Sequence, residues 1–491
     1  MLTRRALVAL LAAWAGLAHG AADVDFDHLK ARAQALARAA YAAPPAPDAA
    51  SPAIDPGRLR DLAVKPARAP WSMQSRFVPL PLAPRADCAP TRFHSIQASG
   101  IASFEYRPEL FDWAAVGVTA PPAAAGFCGF RLLYPPASGG GRVDLARFGG
   151  DVWQLVGAGQ AFGAAAWVAG EIGGDGQARA VPFREFWLLR PAAGARQLRL
   201  YALADATALT AAVQIDVMPG PVNRAEVRMA LYPREAAGEL LLAPLAGSFL
   251  QGELQPRRLS PLQAERHSVD GLAIHTTAGG WVWRPLDNPR GRSAYSFLVD
   301  TPRGFGLLQR DREPGHYEPG TAHAQQPDLW LTPAGDWGAG QLRLIESPAK
   351  TDEPPNVVVG FVPRQRPAAG AEISLAYTLE WSSDASLPRP GGYVVATRSG
   401  AADDGGRRYV VDFAGSALQG LPPGVAPTAV IDVARGGKLR RQQVQANPYA
   451  GGWRLLFDFG RETDAPLQLR AYLQHADQPL TETWDYVDPS R

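Results

Sequence analysis

The sequence predicts an all-β protein with a small β-sandwich at its C-terminal end, and three observations support this class. Apolar and polar residues alternate along short stretches such as Val213–Met218 and Glu226–Leu231, the pattern of a strand with one buried face. Glycine and proline, 50 and 45 of the 491 residues, recur without a period, as turns between many short strands require. No long helical periodicity follows Phe77, which argues against an α/β fold.

The first twenty residues have the features of a signal peptide. Arg4 and Arg5 provide the positive start, and residues 6–18 form an apolar stretch too short for a stable membrane anchor. Ala18-His19-Gly20 is a small-x-small cleavage site. We therefore expect an exported chain without a membrane-spanning segment, and the paired arginines leave twin-arginine export open beside the general secretory route.

Charge and cysteine content argue against several classes of ligand. The formal net charge is +2, and loss of Arg4 and Arg5 with the leader cancels it, so we expect no nucleic-acid partner. The two cysteines, Cys88 and Cys128, are too few for a zinc or thioredoxin motif, and we expect no metal and no cofactor. A disulfide and two buried thiols stay open as alternatives.

One helix is predicted directly after the leader. Apolar residues recur there at helical spacing, at Leu29, Ala33, Leu36 and Ala40. Asp25 or Asp27 can cap its N-terminus, and prolines from position 44 onward end it. Residues 42–56, rich in alanine and proline, are predicted to form a surface linker.

A domain boundary is predicted at residues 384–391, within the small, polar, proline-rich stretch SSDASLPRPGG. It separates a large domain, residues 23–383, from a C-terminal domain, residues 392–491. Strands of the C-terminal domain are predicted at Tyr393–Thr397, Tyr409–Phe413, Trp453–Phe459 and Leu467–Leu473. In the large domain, Pro219-Gly220 marks a turn between the two alternating stretches.

The familiar HExxH, GxSxG and P-loop motifs are missing. The Gly157–Gly163 stretch GAGQAFG comes close to a dinucleotide fingerprint, but no βαβ unit surrounds it, and we predict a tight strand connection. Aromatic and planar polar side chains that could bind a sugar are Trp153, Trp281, Trp283, Asn288, Gln309, Arg310, Trp330, Asp336 and Trp337. By composition alone, tryptophans that pack a sandwich core are the stronger interpretation.

Several long blocks carry a family resemblance. They are DVWQLVGAGQAFG from Asp151, FWLLRP from Phe186, WVWRPLDNP from Trp281, GFGLLQRDR from Gly304 and NPYAGGWRL from Asn447. Together, and in this order, they resemble the osmoregulated periplasmic glucan biosynthesis proteins of the G and D type. The resemblance extends from about Phe26 to Tyr486. It implies a large supersandwich of the galactose-mutarotase type with a long cleft, followed by an immunoglobulin-like β-sandwich.

The resemblance also implies a periplasmic role in making or tailoring glucans, chiefly β-1,2-linked glucose chains. It implies that glucan binds in the cleft of the large domain, and it adds Gln160, His267 and Arg284 to the candidate sugar-binding residues. Some family members resemble inverting glycoside hydrolases and others resemble transglycosylases. The inner-membrane glucan synthase is a candidate partner, which would make the chain a non-enzymatic component of that machinery.

The chain departs from the family pattern at both proposed catalytic carboxylates. Ser268 replaces the first aspartate of the His-Asp-Ser-Asp/Asn-Gly-Leu block, and Pro355 occupies the second acidic position. An inverting hydrolase needs one carboxyl group to protonate the leaving oxygen and another to activate water, which serine and proline do not do. We therefore predict glucan binding with the hydrolytic pair lost.

Nearby acids provide the alternative of an active glucanase or transglycosylase. Asp270 lies two residues from Ser268, one same-face step of about 7 Å along a strand, and is the tentative catalytic residue. Asp352 and Glu353 lie beside Pro355. Ordinary turn acids are the competing interpretation of all three.

Overall fold

The computed structural model describes residues 24–44, 62, 64, 68–71, 75–84, 88–121, 126–234, 238–255, 265–352, 354–383 and 390–489. The predicted signal peptide and most of the two predicted linkers lie outside these ranges. Within them, no helix is long and apolar enough to cross a membrane.

The described residues form two α-helices, α1 at Phe26–Arg38 and α2 at Ser416–Gln419, and thirty-two strands. The first sixteen strands are β1 Val78–Pro81, β2 Arg92–Gln97, β3 Gly100–Ser103, β4 Phe130–Tyr134, β5 Val143–Gly149, β6 Val152–Leu155, β7 Ala165–Ala166, β8 Ala169–Ile172, β9 Ala178–Ala180, β10 Phe183–Leu189, β11 Leu198–Asp205, β12 Leu209–Met218, β13 Asn223–Pro233, β14 Glu239–Gly247, β15 Phe249–Gln251 and β16 Arg266–His267. The others are β17 Gly271–His275, β18 Trp281–Pro285, β19 Ser293–Asp300, β20 Gly304–Leu308, β21 Asp328–Ala334, β22 Ala339–Glu346, β23 Val357–Pro363, β24 Ile373–Ser382, β25 Tyr393–Ala401, β26 Arg407–Ala414, β27 Thr428–Val433, β28 Gly437–Asn447, β29 Gly452–Arg461, β30 Leu467–His475, β31 Gln478–Pro479 and β32 Thr483–Asp488. Single 3-10 turns cover Pro108–Leu110, Trp113–Val116, Pro314–His316 and His323–Gln325. The all-β prediction is confirmed.

Two large sheets face each other. One has eleven strands: nine follow the order β1-β4-β5-β6-β7-β14-β23-β22-β19, β8 pairs with β14, and β9 pairs with β8. The other has fifteen, in the order β27-β30-β32-β18-β17-β20-β21-β24-β13-β12-β11-β10-β2-β3, with β31 attached at β30. Their inner faces supply the main hydrophobic core, which includes Phe130, Phe148, Trp153, Leu242 and Trp381.

Helix α1 packs on the outer face of the larger sheet, against β11, β12 and β13. The Asp25 carboxylate accepts the backbone N–H of His28 as an N-cap, and Leu29 and Ala33 are buried. The helix prediction is thereby confirmed. The prediction of one solvated face is wrong for β12, where Gln214 and Asp216 are also buried, because the helix covers that side of the sheet.

The C-terminal segment forms a second sandwich that shares a sheet with the first. Strands β25-β26-β29-β28 make its separate four-stranded sheet. Its other sheet, β27-β30-β32, pairs in parallel with β18 through Trp484 beside Trp283. A second core therefore holds Tyr409, Phe457 and Trp484 together with Trp283 and Trp330 of the preceding domain.

Cys88 and Cys128 form a disulfide, with Cα atoms 5.7 Å apart. This bond joins the segments before β2 and β4. The alternative of two buried thiols is excluded by this pairing.

Candidate functional site

Acids and histidines come together where three segments of the larger domain meet. We call this cluster the acid–histidine group, and it consists of Glu265, His267, Asp270, Gln309, Asp311 and His316. Strand β15 pairs with β16 and sets Phe249 opposite His267. The backbone N–H of Asp270 donates to Leu308 at the end of β20, 2.7 Å away. These pairings bring the HSVDGL block next to the end of the GFGLLQRDR block, which lies some forty residues later.

Gln309 determines which ring nitrogen of His267 faces the acids. The Gln309 side-chain NH₂ has three oxygen acceptors, the carbonyls of His267 and His323 at 3.2 and 3.3 Å and the hydroxyl of Tyr317 at 2.8 Å. Its Oε1 is therefore the acceptor that lies 3.0 Å from Nδ1 of His267. Nδ1 therefore carries a proton, and Nε2 faces the carboxylates of Glu265 and Asp270.

Two carboxylates meet at Nε2 of His267. Glu265 Oε2 lies 2.8 Å from it and Asp270 Oδ1 lies 3.3 Å from it. The other oxygen of Asp270 accepts the backbone N–H of Asp311 at 2.6 Å. The backbone donor therefore holds Asp270 in the orientation that faces the imidazole.

The pKa values of this pair are displaced. Burial opposes the charged form of His267, but the charges of Asp270 and Glu265 outweigh burial and raise its pKa to about 9. Burial also raises the pKa of Asp270, although the charge of His267 and the hydrogen bond from the Asp311 N–H act to lower it. Direct contact with the acids favours a protonated imidazole.

The group opens to solvent through Asp311 and His316. Their side chains approach to 2.6 Å between Asp311 Oδ2 and His316 Nδ1. His267 is fully buried, whereas the His316 side chain is 55 % exposed. The hydrogen bond to Asp311 raises the pKa of His316. The site therefore runs from an enclosed imidazole to an exposed one.

The arginines nearest in sequence pair with acids outside this group. They are Arg266 with Asp352, Arg310 with Glu482 and Arg312 with Asp328. Within the described part of the chain, no lysine or arginine forms an ion pair with Glu265, Asp270 or Asp311. Histidine is the cationic partner that these three acids have there.

Ser248 joins the two stretches in which the expected carboxylates are replaced. Its backbone N–H donates to the Ser268 hydroxyl at 2.8 Å, and its own hydroxyl donates to the carbonyl of Asp352 at 2.6 Å. Ser268 is buried by this contact, and Pro355 is exposed. Glu353, the third substitute acid, lies outside the described residues.

Asp352 is held in ion pairs. Burial raises its pKa, but hydrogen bonds with His323 and Arg266 outweigh burial, and its pKa is lowered. Arg266 approaches it to 2.8 Å and His323 to 3.5 Å. An acid stabilised in its ionised form is a poor proton donor at neutral pH.

Comparison with known proteins identifies the family. The model of the family described as "Periplasmic glucan biosynthesis protein, MdoG" matches residues 24–487. The chain belongs to this family. "Glucans biosynthesis protein D 1" of Ralstonia nicotianae (strain ATCC BAA-1114 / GMI1000) is 36 % identical over 505 aligned residues, which cover 95 % of the chain and 92 % of that protein. A role in periplasmic glucan biosynthesis follows from both matches.

Two solved structures that match the chain do not resemble it closely enough to support a conclusion about fold or function. The Slr1438 protein of Synechocystis sp. PCC 6803 is 9 % identical over 52 % of the chain and 93 % of its own, with a TM-score of 0.19. The polysaccharide lyase BACCELL_00875 is 10 % identical over 74 % and 44 %, with a TM-score of 0.18. Neither score is high enough to support a shared fold.

Several sugar-binding candidates of this MdoG-family chain lie in its cores. Trp153 stacks on Phe148 in the main core, with ring centroids 5.6 Å apart. Trp283 and Trp330 belong to the second core. Arg284 is buried, its guanidinium lies over the Tyr295 ring, and its charge pairs with Asp485 at 3.3 Å. These four side chains offer a glucan almost no surface.

Other candidates are dispersed over the chain. The list comprises Trp281 stacked on His275, Asn288 bonded to the carbonyls of Leu250 and Ala349, Asp336 bonded to the Thr301 hydroxyl, Trp337 against Phe361 and Tyr377, and Arg310 over the Trp283 ring. Gln160 accepts the Gly157 N–H in the loop between β6 and β7, as predicted for a strand connection. Only His267, Gln309 and the catalytic candidate Asp270 belong to the acid–histidine group.

Sequence reasoning missed Glu265, Asp311 and His316 as members of the group. Asp311 lies inside the GFGLLQRDR block and directly follows two named candidates, which was a usable signal. Glu265 and His316 match no motif spacing, and their segments come together through the backbone pairing of Glu265 with Tyr317.

A separate crevice of about 590 Å³ lies between the two sandwiches, lined by Ile274, Val282, Leu298, Tyr472 and Asp485 among others. Asp270 precedes β17, whereas the crevice is reached at the far end of this strand. About 3.3 Å per residue puts the crevice more than ~10 Å from the acids. It is therefore a second concavity and no part of the acid–histidine group.

Proposed function

We propose that this protein binds β-glucan at the opening of the acid–histidine group, where Asp311 and His316 reach solvent. One observation carries the proposal. The HSVDGL and GFGLLQRDR blocks, which belong to the family resemblance and lie far apart in sequence, meet in one polar, partly exposed group. Function in such families resides in the site and not in the sandwich that supports it.

The chemistry of the group suits a neutral polysaccharide. Carboxylates accept hydrogen bonds from the hydroxyl groups of a sugar, and a protonated imidazole donates hydrogen bonds to its oxygens. The loop that contains Gln160 lies beside the same region, because the Ala161 N–H donates to Gln325 and the Gln326 side chain donates to Phe162. We therefore expect Gln160 to be within reach of a long chain, and a mature protein without net charge is consistent with this ligand.

The geometry does not suit an inverting hydrolase. Glu265 and Asp270 offer oxygens within 4.8 Å of each other, whereas an inverting hydrolase separates its two carboxyl groups by about 6.5–9.5 Å to admit water. The expected acidic positions hold Ser268 and Pro355. Hydrolysis or transglycosylation by Asp270 is the second candidate, supported by the partial exposure of its carboxylate.

The first test is calorimetric titration of the mature protein with linear β-1,2-glucan oligosaccharides. Asp311→Asn should weaken binding about tenfold, because it removes a charged acceptor at the opening. Asp404→Asn is the matched control, since Asp404 pairs with Arg440 on the C-terminal sandwich and should leave binding unchanged. Absence of binding in the wild type, or equal loss in both variants, would contradict the proposal.

Chain-length chromatography of the glucan after incubation separates the two candidates. Unchanged glucan, with an active family member as positive control, supports binding alone. Shorter or cyclised products that disappear in Asp270→Asn would establish the second candidate instead.

A further inference from the structure

Three side chains around β16 offer the donor set of a metal centre. Glu265, His267 and Asp270 each present one ligand atom, and all three atoms lie within 4.8 Å of one another. Imidazole nitrogen together with carboxylate oxygen is a combination suited to zinc, iron or manganese. The ligands would span six residues of one segment.

Two of the three separations are close to those of adjacent ligands on one ion. Two ligands each about 2.1 Å from a metal are about 3.0 Å apart at a right angle and about 3.4 Å apart at the tetrahedral angle. Nε2 of His267 lies 2.8 Å from Glu265 Oε2 and 3.3 Å from Asp270 Oδ1. An ion that displaces the Nε2 proton of His267 to solvent could enter with small shifts of the two carboxylates, whose side chains are partly exposed.

The supporting hydrogen bonds are those of a ligating histidine. Metal-bound histidine usually donates its other ring N–H to an oxygen that fixes the tautomer. Here Nδ1 donates to Gln309 Oε1, and three acceptors fix the Gln309 amide. Nε2 is thereby left directed at the two acids. The Asp311 N–H fixes Asp270 in the same way.

The local charge favours a cation. Three carboxylates, Glu265, Asp270 and Asp311, lie close together, and the neighbouring arginines are engaged with other acids. In the ranges that the structure describes, these three acids have no lysine or arginine partner. A divalent ion would balance charge that the histidines alone must otherwise offset.

We propose that Glu265, His267 and Asp270 bind a divalent first-row transition-metal ion, of which Zn²⁺ and Mn²⁺ are the probes to use. The opening through Asp311 and His316 gives the ion a path from solvent and leaves coordination positions for water or sugar hydroxyls. The three ligands belong to the group proposed to bind glucan, but the donor set and its supports are complete within the protein, so metal binding can be measured without glucan.

The test uses the full mature protein after treatment with chelator and dialysis. Titration with ZnCl₂ by calorimetry, and with MnCl₂ by electron paramagnetic resonance, should each give one saturable site. Glu265→Gln should weaken that site at least about tenfold. Zinc should also raise the melting temperature of the wild type more than that of Glu265→Gln at the same zinc concentration.

Glu318→Gln is the matched control, because Glu318 lies on the same surface and contacts Arg266 instead of the three ligands. It should bind zinc as the wild type does. Circular dichroism of both variants establishes that they are folded. Absence of saturable binding by either ion, or equal affinity in Glu265→Gln and wild type, would overturn the proposal and leave His267 as an ion-paired imidazolium.

Discussion

A single buried carboxylate, Glu185, links two arginines and a histidine on the outer face of the larger sheet. Arg32 of α1 and Arg92 of β2 approach it to 2.6 and 3.1 Å, and His94 approaches it to 2.7 Å. Burial would raise the pKa of Glu185, but the hydrogen bond with His94 and the charges of both arginines outweigh burial and lower it. The ionised carboxylate therefore holds the N-terminal helix against the sheet.

Glu185→Gln should lower the free energy of unfolding at pH 7 by about 1–3 kcal/mol, because it leaves the charged partners without a carboxylate. A lowered folded-state pKa contributes stability that is present above the ordinary pKa of about 4.5 and is lost as the pH falls below it. Urea unfolding of both proteins between pH 3 and pH 7 should therefore show a difference that shrinks in acid. The exposed pair of Asp175 with Arg179 provides the control, since Asp175→Asn should change little.

Residue-scale roles were only partly predictable. His267 and Asp270 were candidates because their block resembled a family motif, but nothing in that block indicates that Gln309 fixes the imidazole. Trp153 and Trp330 have the residue type of a sugar platform, and burial decides otherwise. Burial of a ring depends on which sheets meet, which no local pattern states.

Among the elements, α1 decides how the larger sheet meets solvent. Leu29 is fully buried, and Ala33 accepts the Thr210 hydroxyl through its carbonyl at 2.7 Å. The helix thus gives β12 a second buried face. The sequence indicates the amphipathic pattern of the helix, but it does not indicate which strands the helix covers.

Leu29→Ala should cost about 2–5 kcal/mol of unfolding free energy, because it leaves a cavity between the helix and the sheet. Urea denaturation monitored by tryptophan fluorescence measures the loss. His28→Ala, on the exposed side of the same helix, should fall within about 0.5 kcal/mol of the wild type. A loss below about 1 kcal/mol in Leu29→Ala would mean that the helix does not pack tightly.

At the scale of the whole molecule, the two sandwiches are joined by a continuous sheet and by buried ion pairs. Strand β32 continues the larger sheet beyond β18. Arg310 pairs with Glu482 at 2.5 Å, and Arg284 pairs with Asp485 at 3.3 Å. The sequence predicts a domain boundary at residues 384–391, of which 384–389 lie outside the described residues, and the described segments before and after it share one sheet and one core.

A truncation after Ser383 should therefore fail to give a native large domain. It removes the partners of Arg284 and Arg310, and an uncompensated buried charge costs about 3–5 kcal/mol for each pair. Size-exclusion chromatography and near-ultraviolet circular dichroism should reveal aggregation or loss of tertiary packing, and full-length Glu482→Gln should reproduce part of the destabilisation. A monodisperse truncated protein with native spectra would refute this expectation.

The expected instability of the truncated chain also affects how a contact with the inner-membrane glucan synthase should be tested. Loss of function in the truncated chain would reflect unfolding as well as a lost partner. Tyr449, at the tip of the β28–β29 hairpin, is fully exposed. Tyr449→Ala is a gentler probe of a contact made by the C-terminal sandwich.

The sequence by itself determined the all-β class, the first helix, the C-terminal strands at Tyr393, Tyr409, Trp453 and Leu467, and the family. These depend on local periodicity and on the order of long blocks, and both are properties of the linear sequence. The tertiary structure alone decided the shared sheet, the disulfide between Cys88 and Cys128, and the meeting of Glu265, His267 and Asp270 with Asp311. Each of these joins residues from separate segments, and sheet pairing between distant strands sets such distances without a local signature.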